Sequence, residues 1–131
     1  RPLSFQRTFT LKDRYFHTQI GKLDKTSVRT TGRAGTLLYG PYVYLPAGAY
    51  VVRWKGSCEG AGKVTFDVVS RRAKTTHRTR TLTVTPKRGR HTVASVAFTL
   101  PREVADIEYR VIIHGAAKLT INEVELLRSA R

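Results

Sequence analysis

The feature that most limits what this chain can fold into is a series of short segments in which apolar and polar residues alternate. The alternation is plain in Lys63 to Ser70, Thr92 to Leu100 and Ile107 to His114, and a period of two is that of a strand with one face on a core. Turn signals separate such segments about every ten to fifteen residues, as in antiparallel sandwiches. We therefore predict an all-β fold of about eight or nine strands: a two-sheet antiparallel β-sandwich with jelly-roll or Greek-key topology. It should form one domain over residues 1–131.

The stretch from Gly35 to Lys55 concentrates the aromatic residues. It holds four of the six tyrosines and the only tryptophan, Trp54. Two turns, Gly40-Pro41 and Pro46-Ala47-Gly48, divide the stretch into three short strands. Tyr50 and Trp54 share one parity of the last strand, so their side chains project to the same face. Whether that face is core or binding platform decides what the aromatic cluster does.

Several segments depart from regular alternation. Arg7 interrupts the strand pattern of Leu3 to Leu11, and the apolar parity slips near Asn122-Glu123, which predicts a β-bulge there. Gly21 to Arg33 is polar and weakly patterned, so we expect a long loop. The remaining local predictions are a short strand from Tyr15 to Ile20, a glycine-rich loop from Gly56 to Gly62 that holds Cys58 as a half-exposed, inert thiol, a basic turn from Pro86 to Arg90, and a turn from Pro101 to Asp106.

The chain is strongly basic, with a formal net charge of +15 from 24 Lys and Arg against 9 Asp and Glu. Such a field favours anionic partners: acidic polysaccharide, anionic lipid or nucleic acid. No acidic residue lies between Asp67 and Glu103. The cations in that interval predict a polyanion-binding rim, because arginine binds carboxylate, sulfate and phosphate through paired hydrogen bonds. The expected rim comprises Arg71, Arg72, Arg78, Arg80, Arg88 and Arg90.

Composition excludes several other classes of protein. With 40% hydrophobic and 9% aromatic residues, the chain belongs to the globular class and not to the disordered one. No apolar run exceeds about four residues, against the roughly 20 that a membrane-spanning helix needs. A single cysteine permits no intramolecular disulfide. Because the chain opens at Arg1 without a methionine, we expect a processed mature form or a domain of a larger protein.

Seven short motifs are spread over residues 35 to 127. They are Gly-x-x-x-Tyr-Gly-Pro-Tyr from Gly35, Leu-Pro-x-Gly-x-Tyr-x-Val from Leu45, Val-x-Phe-Asp-Val from Val64, Phe-x-Leu from Phe98, Ile-Glu-Tyr-Arg-Val from Ile107, Gly115, and Leu-Thr-Ile-Asn-Glu-Val-Glu-Leu from Leu119. Together they resemble the β-sandwich modules found with bacterial surface-polysaccharide glycosyltransferases. Those modules are similar to galactose-binding-like jelly rolls, the fold of many carbohydrate-binding modules.

The resemblance implies glycan binding in a protein whose catalysis lies elsewhere. It also implies a catalytic or membrane-associated partner domain, and it favours a cell-envelope or secreted location over a cytoplasmic one. It supplies no defined set of ligand residues, and the region from Arg71 to Arg90 lies outside it.

A sugar presents an apolar face of C–H bonds and a ring of hydroxyl groups. A site for it therefore needs an exposed aromatic plane and directional hydrogen-bonding groups in a concave setting. Each aromatic residue alone is better explained as a core residue, above all Tyr50 and Trp54, so the clustering of the rings carries the prediction. The candidate planes are Tyr39, Tyr42, Tyr44, Tyr50 and Trp54, and the candidate polar partners are Arg53, Arg110, His114 and Asn122.

The sequence nominates no catalytic residues. Pairs of carboxylates two residues apart are typical of solvated strand edges, whereas glycoside hydrolysis needs two carboxylates about 5 to 10 Å apart across a cleft. The four histidines lack metal-ligand spacing, and no serine elbow or phosphate-binding loop is present. We therefore expect that the chain is not an enzyme and that it binds no cofactor. A structural calcium held by Asp13, Asp24 or Asp67 stays an alternative, because hard oxygen ligands suit that ion.

Three functions remain open from the sequence. The first is a non-catalytic carbohydrate-binding module for an anionic bacterial or surface glycan. The second is a basic polyanion-docking module for nucleic acid or anionic lipid, although the basic run contains no recognition helix and no aromatic residue to stack on bases. The third is a structural accessory domain that positions a partner. Aromatic substitutions should abolish binding in the first case, and reversal of arginine charges in the second.

Overall fold

A computed structural model of the chain describes residues 3 to 129. Those residues form eleven β-strands and no helix, so none of them makes a helix long and apolar enough to cross a membrane. The strands are β1 (Leu3–Thr10), β2 (Lys22–Leu23), β3 (Val28–Arg29), β4 (Gly35–Leu38), β5 (Pro41–Leu45), β6 (Gly48–Gly60), β7 (Gly62–Ser70), β8 (Thr75–Val84), β9 (Lys87–Leu100), β10 (Val104–Ile113) and β11 (Lys118–Ser129).

The strands pair into two antiparallel sheets. Sheet I has the order β2-β3-β11-β6-β9, and β1 pairs with β11 beside β3. Sheet II has the order β4-β10-β7-β8, and β5 pairs with β10 beside β4. From β8 onward, each successive strand lies in the opposite sheet. The predicted all-β sandwich is confirmed, with a strand count above the predicted eight or nine.

The core lies between the inner faces of the two sheets and follows the predicted alternation. In β6 every second residue from Gly48 to Cys58 is buried. Trp54 is 0% exposed and packs on Phe66 of sheet II, with ring centroids 5.1 Å apart. Phe9 packs in the same way on Tyr109, at 5.7 Å. Aromatic rings from both sheets therefore fill the centre of the sandwich.

The predicted β-bulge near Asn122-Glu123 is confirmed, because the register between β11 and β6 shifts between Ile121 and Glu123. The register between β1 and β11 also shifts, between Phe5 and Arg7, where Arg7 interrupts the alternation. The aromatic stretch also divides as predicted, into β4, β5 and β6. Local turn chemistry and side-chain parity were sufficient to place these features.

The predicted loop from Gly56 to Gly62 is wrong. β6 runs to Gly60, β7 begins at Gly62, and Cys58 is 3% exposed, where burial raises the pKa of its thiol. A Cβ at Gly56 would collide with the carbonyl oxygen of Thr120 on β11. The glycine therefore serves a close approach of two strands and does not mark a loop.

Four further boundaries differ from the predictions. The long loop after Gly21 contains the two-residue strands β2 and β3. No strand forms from Tyr15 to Ile20, where only an isolated bridge joins His17 to Tyr39. β9 already begins at Lys87 and β10 at Val104, so the turns before them are shorter than expected. Strand pairing with distant segments decided these ends, and a single-sequence pattern does not contain that information.

Candidate functional site

A cavity of about 320 Å³ opens on the outer face of sheet II. We call it the tyrosine groove, or the groove. Ile107, Tyr109 and Val111 of β10 face the core, so the intervening Glu108 and Arg110 face outward. The link between β4 and β5 runs alongside this part of β10 and borders the cavity through Tyr39. The side chains that define it are Gln19, Tyr39, Tyr42, Arg72, Glu108 and Arg110.

Gly40 holds the link between β4 and β5 close to the sandwich. Its N–H donates to Glu108 Oε1 at 3.2 Å, and its carbonyl accepts from the Tyr109 N–H at 2.7 Å. A Cβ here would collide with the Tyr15 carbonyl oxygen, and the φ of +98° is one that glycine adopts most easily. Tyr42 follows at a left-handed φ of 65°. This irregular backbone turns the Tyr42 side chain out of the core.

Tyr39 and Tyr42 form the aromatic wall of the cavity, and the His17 ring lies beside both. Tyr42 is 39% exposed, and Tyr39 is half-buried. The His17 ring lies 5.3 Å from the Tyr39 ring and 6.3 Å from the Tyr42 ring, measured between centroids. Paired backbone hydrogen bonds of 3.0 Å join His17 to Tyr39. Sequence reasoning missed His17 because its position depends on this long-range bridge.

Glu108 supplies a buried carboxylate at the base of the cavity. The residue is 4% exposed, and its Oε1 accepts the Gly40 N–H at 3.2 Å. Burial raises the pKa of Glu108, against the opposing effects of the Gly40 N–H and the Arg110 charge. Asp106 and Glu108 are one of the carboxylate pairs two residues apart that were expected at a solvated edge, and for Glu108 that expectation is wrong.

Arg110 is held in one orientation by Asp67 of β7. Arg110 Nε donates to Asp67 Oδ1 at 2.9 Å, and Nη2 donates to Oδ2 at 2.6 Å. Asp67 is 4% exposed, so the pair is shielded from water on the carboxylate side. This two-point contact uses one edge of the guanidinium, and none of the described residues accepts from Nη1. Arg110 can therefore donate to a ligand from a fixed position.

Arg72 stands at the mouth of the cavity on the β7–β8 turn. Arg71, Arg72 and Ala73 all have left-handed backbones, with φ of 54°, 55° and 66°. For residues other than glycine this conformation costs about 1–2 kcal/mol each. The Arg71 N–H donates to Asp106 Oδ2 at 2.9 Å, which ties the turn to β10. Arg72 was predicted as part of a basic rim, and the structure places its side chain at the groove as well.

A polar stripe continues along the outer face of sheet II beyond Arg110. Thr65 Oγ1 lies 2.7 Å from His114 Nε2 and 2.7 Å from Thr81 Oγ1. His114 follows Arg110 by four residues, about 13 Å along a strand. The structure therefore brings these two predicted residues to one face, at different points along it.

Trp54 and Tyr50 lie in the core, with exposures of 0% and 2%. Because β6 is an inner strand of sheet I and this parity faces sheet II, the prediction that Trp54 contacts ligand is wrong. Arg53 has the opposite parity and lies on the outer face of sheet I, where its Nη1 is 3.7 Å from Glu125 Oε1. It is therefore on the other side of the sandwich from Arg110.

Tyr44 and Asn122 also lie away from the groove. Tyr44 is 58% exposed and borders a separate hollow of about 180 Å³ with Arg7 and Pro46. Asn122 Nδ2 donates to the Thr26 carbonyl at 3.2 Å and so ties down the turn between β2 and β3.

The three aspartates considered for calcium all accept hydrogen bonds from the protein, and Asp13 Oδ1 accepts from the Tyr15 N–H at 2.9 Å. Asp24 accepts from the N–H groups of Thr26 and Ser27, which holds its pKa below the usual range. Asp67 binds Arg110. Over residues 3 to 129, no three His, Cys, Asp or Glu side chains come together as a group that could hold a metal ion.

The six predicted rim arginines do not form one cluster. They follow the long side of the molecule from the β7–β8 turn, along β8, to the start of β9. Arg90 Nη1 lies 3.0 Å from Glu123 Oε1, so its charge is already paired. Arg80 Nη1 donates to the Ser95 carbonyl at 2.9 Å. That the rim binds a polyanion stays a prediction.

The fold is similar to that of several solved carbohydrate-binding modules. The C-terminal CBM6 of LamC, a marine laminarinase from Zobellia galactanivorans, superposes with a TM-score of 0.67 at 14% identity, covering 93% of this chain and 98% of that one. The module CBM6cm-2 of Cellvibrio mixtus lichenase 5A, solved with cellotriose, gives 0.58 at 13% identity, with coverages of 96% and 99%.

The CBM22-1 xylan-binding domain of Paenibacillus barcinonensis Xyn10C gives a TM-score of 0.50 at 11% identity, with coverages of 98% and 98%. No protein-family model matches the sequence, and no curated protein matches it. At these identities the similarity shows the fold. The predicted carbohydrate-binding-module type of β-sandwich is confirmed.

Proposed function

We propose that this chain is a non-catalytic carbohydrate-binding module whose glycan site is the cavity on the outer face of sheet II. One observation carries the proposal: the exposed faces of Tyr39 and Tyr42 stand beside Glu108 and Arg110 in one concave site. Aromatic planes next to a few fixed polar groups are what a sugar site requires. The fold shared with solved carbohydrate-binding modules supports the same function.

Each group of the cavity has a defined part in this proposal. A tyrosine ring packs on the apolar C–H face of a sugar. Glu108 accepts hydrogen bonds from sugar hydroxyls, and Arg110 donates to them from the orientation that Asp67 fixes. At about 320 Å³, the cavity falls at the lower end of the range of roughly 300–1,000 Å³ typical of small-ligand sites. A short segment of a glycan chain fits this description.

The preferred glycan carries negative charge. The buried carboxylate of Glu108 disfavours an anion at the base of the cavity, so an acidic group of the ligand belongs at the mouth, beside Arg72. The Arg72 side chain makes no hydrogen bond with the described residues. The net charge of +15 favours the approach of anions to the protein. The bacterial source of the glycan and a catalytic or membrane-associated partner domain stay predictions.

Titration calorimetry with digalacturonate and its neutral methyl ester tests the groove. Tyr42→Ala should weaken binding of both ligands by about tenfold, because stacking of one ring contributes on the order of 1–2 kcal/mol. Tyr44→Ala is the matched control, an exposed tyrosine outside the groove, and should change affinity by less than about twofold. Equal losses in the two variants, or no binding of either ligand by the folded chain, would contradict the groove as the site.

The same measurement tests the preference for an anion. Arg72→Gln should weaken binding of digalacturonate and leave the methyl ester nearly unchanged, because only the acid uses the guanidinium charge. Arg53→Gln removes the same charge from the opposite face and serves as the control. If the wild-type chain binds the ester as tightly as the acid, the anionic preference is wrong and the glycan site stands alone.

A further inference from the structure

A second cationic surface lies on the long side of the sandwich, away from the tyrosine groove. β8 is the edge strand of sheet II, β9 is the edge strand of sheet I, and the two edges run past each other there. Arg78 and Arg80 of β8 meet Ser95 of β9 at a cleft of about 360 Å³. We call this side the β8–β9 edge.

The two arginines of β8 occupy positions that would be apolar in a central strand. Arg78 pairs with Val68 and Arg80 with Phe66, and both partners face the core. Because β8 lies at the margin of the sheet, its arginine side chains pass beyond the core and are exposed. Arg80 reaches across to the Ser95 carbonyl, so its guanidinium is fixed between the two sheets.

Charged residues on an edge strand also protect it from pairing with another chain. That task is served by charges of either sign, yet here every charge is positive. Over residues 68 to 102 there are nine Lys and Arg and no Asp or Glu. The uniform sign is what a surface for an anionic partner needs.

The cations extend along the whole edge. Lys74 stands at one end of β8, Lys87 and Arg88 at the other, and ten residues of strand span about 33 Å. Arg90 is not part of the surface, because it is paired with Glu123. The surface is thus a track of spaced cations and suits a linear chain of spaced anions.

We infer that the β8–β9 edge is a second binding surface, for a linear anionic polysaccharide. A polysaccharide is favoured over nucleic acid because no Phe, Tyr or Trp lies between Arg71 and Arg90 to stack on bases. Arg72, at the mouth of the groove, also lies at the start of the track. This continuity rests on the proposed function: a glycan chain held in the groove continues over the β7–β8 turn onto the edge.

The experiment compares polygalacturonate, a long chain with one carboxylate per sugar, with digalacturonate, which fills only the groove. The edge variant is Arg78→Gln/Arg80→Gln/Arg88→Gln. The control Arg14→Gln/Arg29→Gln/Arg33→Gln removes three exposed arginines elsewhere and has the same net charge. Circular dichroism checks that both are folded.

The edge variant should bind polygalacturonate about tenfold more weakly at low salt, with a shallower dependence of affinity on salt, because fewer counterions are released. It should bind digalacturonate as the wild type does. Tyr42→Ala should show the reverse order of losses. The control should remain within about twofold of wild type for both ligands.

Three outcomes would overturn the inference. Equal weakening in the edge and control variants would mean that net charge alone attracts the polymer. Unchanged polygalacturonate binding in the edge variant would leave the arginines only the task of protecting an edge. Oligothymidylate that binds as tightly as polygalacturonate, and is lost in the same variant, would assign the edge to nucleic acid. Loss of digalacturonate binding through Tyr42→Ala concerns the groove alone, so the two proposals fail separately.

Discussion

The aromatic residues at the two ends of the stretch from Gly35 to Lys55 differ in burial. Tyr50 and Trp54 on β6 are sealed between the sheets, whereas Tyr39 and Tyr42, which flank Gly40, stand at a groove open to solvent. All four have rings that are able to pack on a core or on a sugar. They differ in the backbone that carries them. Along β6 the side chains alternate strictly between the core and the outer face, and in the segment around Gly40 they do not.

On a regular strand, side-chain parity decides whether an aromatic residue is buried, whereas at Gly40 and Tyr42 an irregular backbone decides it. On β6 the pleat directs every second side chain into the sandwich, and sheet II covers it. At Gly40 and Tyr42 left-handed backbone breaks this rule, and the link runs beside β10, where the Gly40 carbonyl accepts the Tyr109 N–H. Residue type alone therefore does not predict which of the tyrosines line a cavity.

Trp54→Ala gives the largest expected effect and tests the buried end. Removing a fully buried indole leaves a cavity against Phe66 and should lower the free energy of unfolding by about 3–5 kcal/mol. Tyr44→Ala, at 58% exposure, should stay within about 0.5 kcal/mol of wild type. Denaturant unfolding followed by circular dichroism measures both, and a Trp54→Ala midpoint close to that of wild type would refute the burial.

Gly40→Ala tests the irregular end and should cost about 3 kcal/mol, because a methyl group collides with the Tyr15 carbonyl and φ is left-handed. Gly32→Ala is the matched control. Gly32 also has a left-handed φ, of +88°, yet a Cβ there meets nothing within 4 Å. Its cost should be about 1 kcal/mol, from the backbone alone. Thermal unfolding compares the two; equal losses would mean that the link does not pack on Tyr15 as described.

Glu108→Gln should change the free energy of unfolding least, and the size of its effect should depend on pH. Burial raises the pKa of Glu108 above its ordinary value of 4.5, so the fold favours the protonated acid. Its stabilising contribution is therefore complete below pH 4.5 and is lost as the pH rises through the raised value. A glutamine stays neutral, so the variant should gain stability relative to wild type as the pH rises towards neutrality.

The measurement for Glu108 is the free energy of unfolding of both proteins from about pH 4 to about pH 7. Glu103→Gln, an exposed carboxylate on the turn before β10, is the control and should follow the wild-type curve. A difference between Glu108→Gln and wild type that is the same at every pH would contradict the assigned burial.

Local rules predicted the features that depend on neighbours in the chain. Alternation placed β7 and β10, glycine and proline placed the turns between β4, β5 and β6, and a parity slip placed the bulge near Asn122. The same rules failed at Gly56. They predicted a loop there, but the glycine lies within β6 and allows the backbone of β11 to approach closely. They also missed β2 and β3, which exist only because β3 pairs with β11.

The candidate site was half predictable. Tyr39, Tyr42 and Arg110 were nominated by residue type, and they do line one cavity. Arg53 was nominated on equal grounds, yet it lies on the outer face of sheet I beside Glu125. Glu108 was not nominated, because a glutamate on a strand carries no local sign of a site.

By itself the sequence determined that the chain makes a sandwich of short antiparallel strands, because side-chain parity acts between adjacent residues and can be read along the chain. It also determined the basic interval after Asp67, since charge needs no fold to be counted. Only the tertiary structure decided which aromatic rings are covered, and which charges meet a partner within residues 3 to 129, as Arg53 and Arg90 do. The physical reason is that burial and pairing depend on which strand crosses in front of a residue, and that strand comes from a distant part of the chain.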